Sequence, residues 1–153
     1  MVPYPLTERS EEMYRFIWQG PFEQCVSIEL SRKENVVRLH KSTFREQLLL
    51  DTAFAEPYRI RYTLVQDTTF LVTVWEWETF SALLEQAAFK EMRDEAEGMM
   101  GCADGALWSL EEVDARRTYH AVRRHCSVPE ALRNSCWYLV QLAQYTIKRK
   151  DFH

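Results

Sequence analysis

His120, His125 and Cys126 stand within seven residues of one another, and Cys136 follows ten residues later. A zinc ion needs four N or S ligands, commonly in short paired spacings. No CxxC or HxxxH pair occurs in the chain. His120 falls within a strand and His125 beyond its end, so the spacing favours an edge histidine and small buried thiols over a metal centre. Cys25, Cys102, Cys126 and Cys136 lack a Gly-rich elbow or an oxyanion segment beside them, and a nucleophilic cysteine needs a setting that holds its thiolate. Glu76 and Glu78 flank Trp77, but helix positions two apart do not face each other. Glu111 and Glu112 are adjacent on a strand and point to opposite faces, where Glu111 facing inward would bind Arg or Tyr. Gly98 and Gly101 flank two Met without phosphate-loop spacing. The expectation is no catalytic residue, no metal and no cofactor.

Charge distribution carries more information. Residues 76 to 97 hold seven acids (Glu76, Glu78, Glu85, Glu91, Asp94, Glu95, Glu97) against Lys90 and Arg93, five net negative charges. From residue 115 onward eight Lys and Arg face two acids, six net positive charges. One reading is two solvated faces that partly neutralise each other. The other is an acidic docking surface that captures a basic partner quickly. Trp75 lies off the Trp77 stripe beside these acids, a position that suits an interface anchor, although a Trp there is more often a core residue covering a sheet edge. The expected partner-binding set is Trp75, Glu78, Glu85, Asp94, Glu95 and Glu97. RNA binding by the basic hairpin and tail, with Trp108, Tyr119 or Trp137 as stacking platforms, is the weaker reading. Arg123 and Arg124 point to opposite faces of a strand, and Lys148-Arg149-Lys150 suits the C-terminus of a helix.

The chain that must position these residues has 153 of them, enough for one domain with a real core. It is 46% hydrophobic and 27% charged, which excludes a disordered tail or a coiled-coil rod. A net charge of -4 makes it a poor general ligand for nucleic acid or an anionic membrane. The N-terminal residues show no basic and apolar leader pattern, and no apolar run reaches membrane-spanning length. Four cysteines without CxxC spacing then suit reduced thiols in a cytosol.

Period-2 alternation predicts a hairpin over 25–41 and strands over 58–64 and 70–72. Residues 42–57 are ambiguous, with Phe44, Leu48 and Leu49 fitting a short helix. Thr73 and Glu76 have capping-box spacing, and Trp77, Phe80, Leu84 and Ala87 recur at helical spacing, so a helix is expected over 74–88. A second hairpin follows over 107–113 and 118–124. Pro129 opens a last helix, with Leu132, Cys136, Leu139, Val140 and Ala143 on its apolar face, expected over about 129–147. Residues 1–13 read as a loosely ordered lead-in to a single α+β domain over 14–153. Its antiparallel sheet has about six strands, with the two helices packed on it.

The segments YRFIW at 14–18, LLEQAAFKEM at 83–92, DGALWSLEEV at 104–113, YHAVRRHCS at 119–127 and CWYLVQLA at 136–143 come in a familiar order. Together they resemble a family of small, uncharacterised bacterial proteins with DGxxWxLE, YHxVxRWSP and CxYLxxLA segments. His125 and Cys126 replace the Trp and Ser usual there. The resemblance implies one compact α+β domain with no established catalytic role.

The functional expectation is a non-enzymatic, cytoplasmic binding protein of immunity type, which neutralises a bacterial toxin by direct contact with that basic partner. The alternative is an enzyme or small-ligand protein with a site on the open face of the sheet around Glu111, His120 and Cys126. A homo-oligomer that buries the aromatic surplus is a third reading.

Overall fold

The computed structural model describes residues 11–20, 24–50, 58–95, 105–125, 127–147 and 152. Four strands come first: β1 (Glu12–Gln19), β2 (Gln24–Lys33), β3 (Val36–Leu50) and β4 (Tyr58–Val72). Helix α1 (Val74–Gln86) and a single 3-10 turn (Phe89–Glu91) follow, then β5 (Leu107–Val113), β6 (Tyr119–His125) and α2 (Glu130–Leu142). The strands form one antiparallel sheet in the order β4-β3-β2-β1-β5-β6. The β5–β6 hairpin is thus added to the free side of β1, which becomes an interior strand.

Alternation decides which face the helices cover. Tyr14, Phe16 and Trp18 of β1, Val26, Ile28 and Leu30 of β2, Val37 and Leu39 of β3, and Trp108 and Leu110 of β5 point to one side. Trp77, Phe80 and Leu84 of α1 and Leu132, Cys136, Leu139 and Val140 of α2 close over that side. Phe152 joins this core, its ring 4.3 Å from Trp108 and 4.9 Å from Trp137 between centroids. Among the described residues, most of the aromatic side chains are buried in this core or packed against it.

The α+β architecture with two helices on an antiparallel sheet is as expected, but several boundaries differ. β1 begins at Glu12, inside the stretch read as a lead-in. Residues 42–50 continue β3 rather than forming a helix, because β4 pairs with them as far as Leu50↔Tyr58. β4 is one strand of 15 residues, not two short ones, with Val65 as an extra residue where the register shifts near Thr43/Phe44. Residues 51–57 lie outside the described residues.

Thr73 and Glu76 form the expected capping box: the Glu76 N–H donates to Thr73 Oγ1 at 3.2 Å, and the Thr73 N–H donates to Glu76 Oε2 at 2.6 Å. The two helix C-termini carry less sequence signal. Ala88 ends α1 in the left-handed region at φ 53°, and Gln144 does the same for α2 at φ 51°. Beyond α2 the Gln144 N–H donates to the Gln141 carbonyl and the Tyr145 N–H to the Val140 carbonyl, a Schellman closure. Pro129 is the N-cap of α2, not its first helical residue. The helix stops at Leu142, so its last turn has no basic residue, and Lys148-Arg149-Lys150 lies beyond it and outside the described residues. The helix dipole therefore does not explain that basic run.

Candidate functional site

Helix α1 sorts its residues by period 3.6. Trp77, Phe80, Leu84 and Ala87 face the sheet. Trp75, Glu78, Ala82 and Glu85, the last three at offsets of three, seven and ten from the first, are all exposed on the other side. Trp75 is 68% exposed, beside the capped first turn. Three of the six expected partner-binding residues therefore share one outward stripe.

Asp94 and Glu95 are elsewhere engaged. Asp94 accepts from the Arg123 backbone N–H at 3.1 Å and from Arg123 Nη1 at 2.8 Å. Glu95 Oε2 lies 3.4 Å from Arg124 Nε, and Arg124 Nη1 donates to the Arg93 carbonyl at 2.7 Å. The acidic segment is fastened to the edge strand β6 by the basic hairpin. Here the neutralising reading of the charge asymmetry is the one the geometry gives. Glu97 lies outside the described residues.

The alternative site is not assembled. Glu111 pairs in register with Arg15 and Ala121, on the sheet face opposite the helices. His120 pairs with Glu112 on the helix-covered face, where its Nε2 hydrogen-bonds the Phe89 carbonyl at 2.9 Å. The sheet separates the two, and Cys126 lies outside the described residues. His125 Nε2 hydrogen-bonds the Gly105 carbonyl at 3.2 Å, and Cys136 is buried, its thiol pKa pushed far up by desolvation. Among the described residues no group of three or more His, Cys, Asp or Glu converges as a metal site. Trp108 is buried in the core and Tyr119 donates its hydroxyl to Glu111 at 3.0 Å, so neither stands free as a base-stacking platform.

The open face carries a polar ladder that crosses the whole sheet. Ser42 and His40 of β3 both bond Asp67 of β4, at 2.8 and 2.5 Å. Their hydrogen bonds, Ser42 foremost, hold the Asp67 carboxyl below the usual carboxylate range. His40 Nδ1 lies 3.7 Å from Glu29 of β2, and Glu29 lies 3.9 Å from Arg15 of β1. Arg15 forks onto Glu111 of β5 through Nε, at 2.6 Å, and through Nη2. Tyr119 of β6 completes the row. The Glu111 partners are of the two types expected, Arg and Tyr. Sequence reasoning does not find Arg15, Glu29, His40 and Asp67 as a unit. Part of the signal is there: Arg15, Glu29 and His40 are polar positions alternating with core residues, but only strand register shows that they align. The row alternates acidic residues with His40 and Arg15 and ends on the Tyr119 phenol, a hydrogen-bonded girder across the sheet.

No helix among the described residues is long and apolar enough to cross a membrane. Compared with protein-family models, curated proteins and solved structures, the chain matches none.

Proposed function

We propose that this chain is a non-enzymatic, protein-binding domain that captures a basic partner protein through the outer stripe of α1. An immunity-type role is the form of that activity we favour, in which the domain neutralises a bacterial toxin in the cytoplasm by direct contact. The observation that carries the reading is Trp75, a Trp left 68% exposed and aligned with Glu78 and Glu85. Trp75 is already about one-third covered, so roughly 100–170 Å² of it remains to be buried, worth about 2.5–4 kcal/mol at about 25 cal/mol per Å². Association costs consume part of that, and hot-spot Trp residues retain about 2 kcal/mol or more. The neighbouring carboxylates add attraction for a basic surface before contact. The sequence's net charge of -4 acts in the same sense.

The test is paired capture from native lysate at low salt, with the unmodified chain and with Trp75→Ala/Glu78→Lys/Glu85→Lys as baits. The expected result is one stoichiometric basic protein retained by the first and lost by the second. Identical captures, or no basic protein on either bait, would contradict the proposal. All three substitutions are at exposed positions, so the bait's fold is expected to survive them.

A further inference from the structure

Glu111 and Glu112 are neighbours in sequence and equally buried, each 6% exposed, yet they are satisfied very differently. Glu111 takes two N–H groups from Arg15 and the Tyr119 hydroxyl. Glu112, on the helix-covered face, has the Lys90 ammonium at 3.5 Å and the Tyr14 hydroxyl beside it. Lys90 is itself 63% exposed and shared with Asp114 at 3.6 Å, so it is a loose and displaceable counterion. Burying a carboxylate is costly unless donors fill its lone pairs. With one loose cation and one phenol against it, Glu112 has acceptor capacity to spare.

That spare capacity opens into a cleft of about 370 Å³ between the end of α1, the 3-10 turn and strands β1 and β5. Tyr14, Ser81, Leu84, Glu85 and Glu91 line it together with Glu112 and Lys90. Three carboxylates against one ammonium leave it net negative. The Tyr14 phenol, whose pKa burial pushes up to about 12, stays protonated at neutral pH and hydrogen-bonds Ser81 Oγ at 3.0 Å. Leu84 and the Tyr14 ring supply an apolar wall for an alkyl stem. Glu85 belongs both to this cleft and to the outer stripe of α1, so the two features are continuous.

We infer that the cleft receives an arginine side chain of the basic partner, its guanidinium seated on Glu112 in place of the Lys90 ammonium. Arginine fits better than lysine because its planar fork offers parallel N–H donors to one carboxylate, and Glu112 has lone pairs for both. The flanking Glu85 and Glu91 attract the cation and repel an anionic side chain. This inference rests on the reading of the chain as a binder of a basic protein, but its test needs no partner protein.

The test is titration of the full chain with N-acetyl-arginine amide, followed by backbone amide shifts, with the citrulline analogue as a neutral isostere. Saturable shifts at Ser81, Glu85, Lys90 and Glu112 are expected with the arginine probe, and at least tenfold weaker ones with the citrulline probe. Glu112→Gln is expected to weaken the arginine probe at least tenfold. Lys90→Ala, at an exposed position, is expected to tighten it several-fold by removing the resident cation, and it keeps the test decisive if Glu112→Gln folds poorly. No saturable response, equal binding of both probes, or a Lys90→Ala variant that binds no better would overturn the assignment. A failed capture experiment with a positive titration would instead strike at the α1 stripe and leave the cleft standing.

Discussion

Arg15 sits in an interior strand of the polar ladder, almost fully buried, forked onto Glu111 and near Glu29. Removing one member of such a pair strands the other in a place without water. Arg15→Met is therefore expected to lower stability by about 3–5 kcal/mol, while Arg15→Met/Glu111→Leu recovers most of that. Chemical denaturation of the two variants checks it; equal losses in both would show that the pair itself, not the stranded charge, carries the energy. Tyr14 gives a pH signature. Burial is the main cause of its raised pKa, with Glu112 adding to it and the Ser81 hydrogen bond opposing. The folded pKa lies above the ordinary value of 10.0, so the contribution to stability is complete below pH 10 and is lost as pH rises through about 12. Stability measured across that window is expected to fall in the native chain and to fall less steeply in Tyr14→Phe. A slope unchanged by the substitution would assign the alkaline loss to other groups.

At the scale of elements, starts are easier to see than stops. The Thr73–Glu76 capping box is written in side chains and is legible at once. The ends of α1 and α2 are not, because the left-handed positions that usually carry Gly are held by Ala88 and Gln144. Without that punctuation the expected span of α2 runs to about residue 147, five residues beyond its end at Leu142. Gln144→Gly is accordingly expected to stabilise the chain by about 1 kcal/mol by relieving the left-handed strain, raising Tm by about 2–4 °C. A lower Tm in a thermal scan would mean that Gln144 contributes contacts worth more than the strain. The merged strand β4 is hidden for a different reason. Its interior, Gln66-Asp67-Thr68-Thr69, is polar because it lies on a sheet edge, and edge strands tolerate polar residues on both faces. In β3, Phe44 and Leu48 have helical spacing by coincidence, and pairing with β4 overrides local preference there. Phe152 gives no signal at all: a lone aromatic after a basic run has no period, and only the fold shows it among Phe16, Trp108 and Trp137.

Across the whole molecule, the sheet divides two kinds of polar chemistry. On the face opposite the helices, the described residues Asp67, His40, Glu29, Arg15, Glu111 and Tyr119 form a continuous polar ladder. The helix side ends in an outward stripe with an exposed Trp and in an acidic cleft whose buried carboxylate is weakly matched. The candidate residues on α1 are legible because helical period and exposure follow from sequence together. Asp94 and Glu95 are not, because their engagement with Arg123 and Arg124 depends on contacts 29 residues apart that no local pattern encodes. We have proposed that the outer stripe of α1 steers and anchors a basic partner. That proposal is tested most directly by the association rate with the captured partner, measured by stopped flow across ionic strength for the native chain and for Glu78→Lys/Glu85→Lys. The expected native rate falls steeply with added salt, and the charge-reversed rate is at least tenfold lower at low salt with a flattened or inverted dependence. Superimposable salt profiles for the two proteins would contradict it.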